Sequence, residues 1–248
     1  MHRIYLIALL LLTGCTSLQT VRSRPEVPNP EIAYPYYDQE SRLVYNVTHD
    51  DENLHVRLKA RDRTAILKIL RTGLTIYFDP AGKKDRTMYV QYPLAKDRKT
   101  TRDQFPNPGQ NGAPPPELRA LLDELPKQAV FQSAAGTERF DVLLSASGIK
   151  ITLQQVDNAE LLYDLVIPQA RLAEGGLEGL SNLSVGIISG SVSIPLQQRG
   201  GPSGVPTGGA LGGLPNARTP PAGNGRLNWS AMGTPIEIWF KVAFPTSP

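Results

Sequence analysis

The sequence predicts an all-β fold, a single antiparallel β-sandwich of immunoglobulin-like or jelly-roll-like type with two short helices. Three observations carry that expectation. Short runs of alternating apolar and polar residues recur along the chain, and period-two alternation marks a strand with one buried face. Two of these runs are joined by the acidic stretch His49-Asp50-Asp51-Glu52-Asn53, which is a hairpin signal. A βαβ architecture would need helical periodicity between most strands, and the chain lacks it.

The elements follow in order. Leu43, Tyr45 and Val47 alternate with Val44, Asn46 and Thr48; beyond the turn, Leu54, Val56, Leu58 and Ala60 point inward and His55, Arg57, Lys59 and Arg61 outward. Thr64 to Leu70 forms a short helix closed by Gly73, and Leu74, Ile76 and Phe78 begin the next strand, which ends at the turn Pro80-Ala81-Gly82. Met88 to Tyr92 is a further strand. Leu118, Leu121, Leu122 and Leu125 give the segment from Glu117 to Leu125 an amphipathic helical stripe. Strands are expected at Ala129–Ser133, Phe140–Ala146, Ile149–Val156, Leu161–Ile167 and Leu183–Ile188, for nine or ten in all. Ala170 to Leu180 is a loop with a helical turn. The last strand is the clearest, with Ile236, Ile238, Phe240, Val242 and Phe244 alternating against Glu237, Trp239, Lys241 and Ala243.

Between these elements lie segments without a core pattern. Residues 94–116 are polar, end in three prolines, and read as a long loop. Residues 196–227 are a Gly/Pro-rich low-complexity insertion with almost no residues of the buried type. Residues 15–33 read as a tether, so the globular domain is expected to run from residue 34 to 248. The chain has 248 residues, 40% of them hydrophobic, which is enough for one domain with a sizeable core. Net charge is only +3, and no basic block carries interleaved aromatics, so nucleic acid is not an expected partner.

The N-terminus is the most specific part of the chain. His2 and Arg3 precede an apolar run from Ile4 to Leu12. That run is too short to cross a bilayer, which takes about 20 residues, and it reads as a signal peptide over residues 1–14. Leu12-Thr13-Gly14-Cys15 resembles the bacterial lipobox. The resemblance implies diacylglycerol on the Cys15 sulfur, cleavage before it, and a further acyl chain such as palmitate on the new amine. Cys15 is the single cysteine, so the mature chain is left without an intramolecular disulfide. Thr16 and Ser17 follow the cysteine in place of an aspartate, and the outer membrane is the expected location.

Residues 43–56, with their acidic turn followed by Leu54-His55-Val56, resemble the hairpin of carbohydrate-binding module family 9 and of the related DOMON domains. Gly73-Leu74-Thr75-Ile76-Tyr77-Phe78-Asp79-Pro80 resembles the next family strand. The likeness covers residues 36–93 and, more loosely, the terminal strand. It implies a sandwich that binds carbohydrate or another small ligand without catalysis.

The chemistry-bearing residues give few alternatives. His49 and His55 are the only histidines after the signal segment, which is too few for a metal site, and Met88 and Met232 make no matched pair for haem. No metal, cofactor or catalytic residue is therefore expected. Asp50-Asp51-Glu52 suits an acidic β-turn. No Gly-x-Ser-x-Gly elbow occurs. The aromatics lead instead: Trp239 shares the polar face of its strand with Glu237 and Lys241, and Tyr77 shares a face with Thr75 and Asp79. Tyr77, Asp79, Glu237, Trp239 and Lys241 are the expected ligand-binding set, with the rings stacking on sugar and the charged groups hydrogen-bonding to it. The alternative from another class is an envelope protein that binds a protein partner through its long loop and Gly-rich insertion.

Overall fold

Residues 18–27, 33–95, 117–144, 147–156, 159–191 and 232–245 are described by a computed structural model. They form thirteen strands: β1 (Gln19–Arg22), β2 (Arg24–Pro25), β3 (Tyr36–Asp38), β4 (Leu43–His49), β5 (Asn53–Ala60), β6 (Leu74–Asp79), β7 (Tyr89–Gln91), β8 (Gln128–Ser133), β9 (Gly136–Asp141), β10 (Lys150–Val156), β11 (Glu160–Pro168), β12 (Ser184–Ser189) and β13 (Glu237–Ala243). One sheet of seven strands runs β1-β13-β12-β6-β7-β8-β9. The other, of six, runs β10-β11-β5-β4-β2, with β3 also on β4. The two pack as the sandwich that the alternation predicts.

The inner faces follow the period-two pattern. In β11, each residue with an inward side chain is buried and each neighbour is half-buried. Leu43, Tyr45 and Val47 of β4 meet Phe78, Ile187, Phe240 and Val242 of the other sheet in one continuous core. At its centre the rings of Tyr45 and Phe240 stack at 5.0 Å. The Tyr45 hydroxyl donates to Gln19 of β1 at 2.9 Å, and burial pushes its pKa up to about 12.

Helix α1 (Arg63–Thr72) links the sheets. Asp62 caps it by accepting from the Ala65 N–H at 3.0 Å. Gly73 ends it at φ 82°, where a Cβ would lie 2.8 Å from the Pro93 carbonyl oxygen. Helix α2 (Leu118–Asp123) buries Leu121. The loop at 170–180 contains two short turns of 3-10 helix, at Gln169–Arg171 and Glu178–Leu180.

Three expectations need correction. The segment expected as tether contributes strands to both sheets: β1 pairs parallel to β13, β2 pairs parallel to β4, and Val21 is fully buried. The strand expected at Phe140–Ala146 is shifted, because Gly136–Asp141 pairs with β8 and the Asp141 carboxylate then accepts from the Leu143 N–H at 2.8 Å, turning the chain away. On β5, His55 and Arg57 occupy the outward face as expected, yet both are buried. Glu26, just past the edge strand β2, reaches across β4 to this face, and the Arg57 guanidinium grips it through two hydrogen bonds of 2.8 and 2.9 Å while reaching Asp164 at 3.1 Å. The insertion at 196–227, nearly all of the loop at 94–116, and Cys15 lie outside the described residues.

The half-buried Glu26 on the buried Arg57, the buried His49 and the hydrogen-bonded Asp50 set the response to acid. Hydrogen bonding to Arg57 holds the Glu26 carboxyl below its ordinary 4.5, against the upward push of burial. Burial also lowers His49 from 6.5, against the pull of Asp50 and Asp51. In both cases the unfolded chain binds protons more readily, so stability is full above the ordinary value and lost as pH falls below it. Urea titrations should therefore show stability declining below about pH 6.5 and again below about 4.5. Glu26→Gln should cost about 2 to 3 kcal/mol at neutral pH by leaving Arg57 buried and half-paired, and should shrink the lower of the two steps to the part that Asp50, also held below its ordinary value, contributes. An unchanged pH profile would contradict this account.

Candidate functional site

The outer face of the seven-stranded sheet carries a row of aromatic side chains. Register sets Trp239 of β13 opposite Gly186 of β12, Gly186 opposite Tyr77 of β6, Tyr77 opposite Tyr89 of β7, and Tyr89 opposite Gln132 of β8. The row thus runs straight across five strands. Strand alternation places Trp239 and Tyr77 outward because their neighbours Ile238, Phe240, Ile76 and Phe78 are held in the core.

Gly186 decides how the indole lies. A Cβ there would sit 2.7 Å from Cε2, Cζ2 and Cη2 of Trp239, so the indole rests on the backbone of β12 in space that only glycine leaves open. One ring face is turned to the sheet and the other away from it. The Trp239 and Tyr77 centroids are 6.0 Å apart with planes at 24°. Stacked carbon atoms touch at about 3.5–4.0 Å, so the two rings sit largely side by side. Tyr89 meets Tyr77 edge-on at 5.5 Å and 60°.

Polar groups border the rings. Glu237 accepts from the Trp239 Nε1–H at 3.2 Å and from Arg86 Nη2–H at 2.7 Å. The Arg86 guanidinium lies 5.9 Å from the Tyr77 ring centroid. Burial raises the pKa of the Tyr77 hydroxyl, against the opposing pull of Arg86, so it remains a neutral donor at physiological pH. Lys241 is exposed two residues along β13 on the same face. Beside the row, Arg86, Thr87, Tyr89, Gln132, Ser133 and Ala134 line a shallow depression of about 550 Å³.

Of the five expected site residues, Tyr77, Trp239 and Glu237 come together, and Lys241 shares their face. Asp79 does not join them. Its direction is outward as expected, but the side chain is only 3% exposed. The turn after β6 folds over it, and its carboxylate accepts from the backbone N–H groups of Ala81 at 2.9 Å, Asp85 at 3.0 Å and Lys83. Asp79 builds the loop that carries Arg86. The residues that sequence reading did not select are Gly186, Arg86, Tyr89 and Gln132. Trp229 lies outside the described residues.

The remaining polar clusters are internally committed. Asp50 accepts from the Glu52 and Asn53 N–H groups at 2.9 and 2.7 Å and pairs with His55 Nε2 at 2.9 Å. Those bonds outweigh the upward effect of burial and hold its carboxyl at about 2. His49 Nδ1 is hydrogen-bonded to Ser23 Oγ at 2.7 Å. Among the described residues, no group of three or more His, Cys, Asp or Glu is placed to hold a metal ion.

No family model matches the chain, and no curated protein matches it. Among solved structures, a carbohydrate binding module family 9 from Caldicellulosiruptor kristjanssonii in complex with glucose aligns over 93% of this chain and 98% of its own, at 7% identity and a TM-score of 0.35. One from the same organism in complex with cellotriose aligns over 92% and 96%, again at 7% identity and 0.35. Superposition this loose transfers no residue and no ligand.

The glycine contact can be tested directly. Gly186→Ala forces the indole off β12, and the added methyl should cost about 1 to 3 kcal/mol as overpacking does. The near-ultraviolet circular dichroism arising from the Trp239–Tyr77 pair should collapse while the far-ultraviolet spectrum is kept. A variant with unaltered aromatic dichroism would show that the indole does not need the glycine.

Proposed function

We propose that this chain is a lipid-anchored protein of the bacterial envelope whose sandwich is a noncatalytic binding module for carbohydrate. The observation that carries the ligand reading is the indole of Trp239 lying flat on Gly186 beside Tyr77. A pyranose ring has an apolar face of C–H groups and a rim of hydroxyls. The C–H face suits the outward π surface, and the rim suits the Glu237 carboxylate and the Arg86 guanidinium beside it. Arg86 and Glu237 already bond to each other, so they present a planar pair of donors and acceptors instead of an isolated charge. Lys241 extends the polar border along β13. An open face of this kind binds weakly, because much of the ligand keeps its water.

The anchor reading rests on Leu12-Thr13-Gly14-Cys15. Several acyl chains on one residue hold durably, at about 0.8 kcal/mol for each buried methylene. Thr16 and Ser17 after the cysteine favour the outer membrane.

In calorimetry at high protein concentration, Trp239→Ala should abolish binding of the saccharide identified by a glycan array. It should lower stability less than the 3 to 5 kcal/mol typical of a core aromatic, because the ring is only half-buried. Asp79→Asn should disorder the turn and weaken binding through Arg86, without removing a direct contact. Sugar binding that survives Trp239→Ala would end the platform reading. For the anchor, intact-mass analysis should find the mature chain acylated at Cys15, and Cys15→Ser should release it to the soluble fraction. Membrane retention of that variant would end the anchor reading.

A further inference from the structure

The distance from the anchor to the fold is short. Only residues 16–18 separate Cys15 from Gln19, the first residue of β1. Four peptide steps of at most about 3.6 Å span no more than about 14 Å. The domain therefore cannot stand far from whatever surface holds Cys15, and the end of the sandwich where β1 starts is the end turned toward it.

Register identifies that end. β1 runs parallel to β13, with Gln19 beside Phe240, so both strands start toward the same end and β13 reaches three residues further toward it. From the start of β13, the Ile236 carbonyl accepts from the Ser189 N–H, Ser189 pairs with Leu74, and the Leu74 carbonyl accepts from the Tyr92 N–H. One strand further on, β7 pairs with β8 through Gln91 and Val130, and β8 pairs with β9 through Gln128 and Asp141. β9 thus leaves the sheet at this same end. The turn that follows it carries Leu143 and Leu144, which are 66% and 74% exposed. They are two of the four exposed large hydrophobic residues among the described residues, and they are adjacent. The turn is held firmly, since the Val142 N–H donates to the Lys127 carbonyl at 2.9 Å and Asp141 accepts from the Leu143 N–H. Two leucines displayed on a fixed turn, at the end of the fold that the anchor draws down, are placed for a hydrocarbon surface.

We infer that the sandwich docks end-on against the bilayer, with Leu143 and Leu144 entering the boundary between headgroups and acyl chains. This rests on the reading of Cys15 as the lipidated residue. In that pose the strands stand upright on the membrane, and the aromatic row faces sideways. Trp239 precedes Phe240, the partner of Gln19, so the row lies toward the anchored end of the sheet. The opposite end, with the hairpin at Asp50–Asn53, is turned away.

The test uses the full lipidated chain in vesicles of phosphatidylethanolamine and phosphatidylglycerol. Cys15 is acylated, so a second cysteine introduced by Leu144→Cys or, as the distal control, by Asp51→Cys takes an environment-sensitive fluorophore alone. A label at 144 should shift to shorter wavelength and be quenched several-fold more strongly by nitroxide-bearing lipid than a label at 51. Flotation of the vesicles reports the anchor independently. A chain that floats but shows equal quenching at both positions overturns the docking and leaves the anchor standing. A chain that does not float overturns both.

Discussion

The contact between Tyr45 and Phe240 is the point on which the rest of the molecule depends. One ring belongs to the six-stranded sheet and the other to the seven-stranded sheet, and both are fully buried. With its single cysteine at position 15, the sandwich has no cross-link between its layers, so the sheets are held by apolar packing. Two sheets in contact leave a layer about 10 Å thick to be filled, and stacked aromatic rings fill it where smaller residues would leave voids. The same pair locates the chain ends. The Tyr45 hydroxyl holds Gln19 of β1, and Phe240 sits beside Gln19 in register. Once this contact is made, Phe240 faces inward, and Trp239, its immediate neighbour, has to face out.

That coupling explains why part of the site could be read from the chain. Strict alternation from Ile236 to Phe244 assigned Trp239, Glu237 and Lys241 to one outer face, and the alternation around Tyr77 did the same for that residue. Alternation does not reveal which strands are neighbours. The order β13-β12-β6-β7 joins segments from distant parts of the sequence, and only that order unites Trp239 with Tyr77 and Tyr89. Gly186 escaped notice for a related reason. Within a strand a glycine reads as a weak spot, and its use becomes visible only when the side chain lying over it is known.

The misread residues have identifiable physical causes. β1 has one inward residue, Val21, among three that are exposed, so four residues at a sheet edge offer no period to detect. Asp79 was assigned its direction correctly. Its burial comes from the turn of residues 80–85, whose N–H groups needed an acceptor and found its carboxylate. Arg57 is likewise enclosed by Glu26 and Asp164, partners far away in sequence, which no pattern within β5 could announce.

The pairing of β1 with β13 also sets the order in which the molecule can be completed. Gln19 meets Phe240, so the first strand of the described residues waits for the last of them. Contacts that close nearly the whole chain into one loop are the slowest kind to form, and topologies dominated by them fold in milliseconds to seconds, not microseconds. Until the C-terminal strand arrives, β12 has an open edge and β1 has no partner in its sheet. The interval between the two is when this chain is most open to proteases and to strand exchange with its own copies.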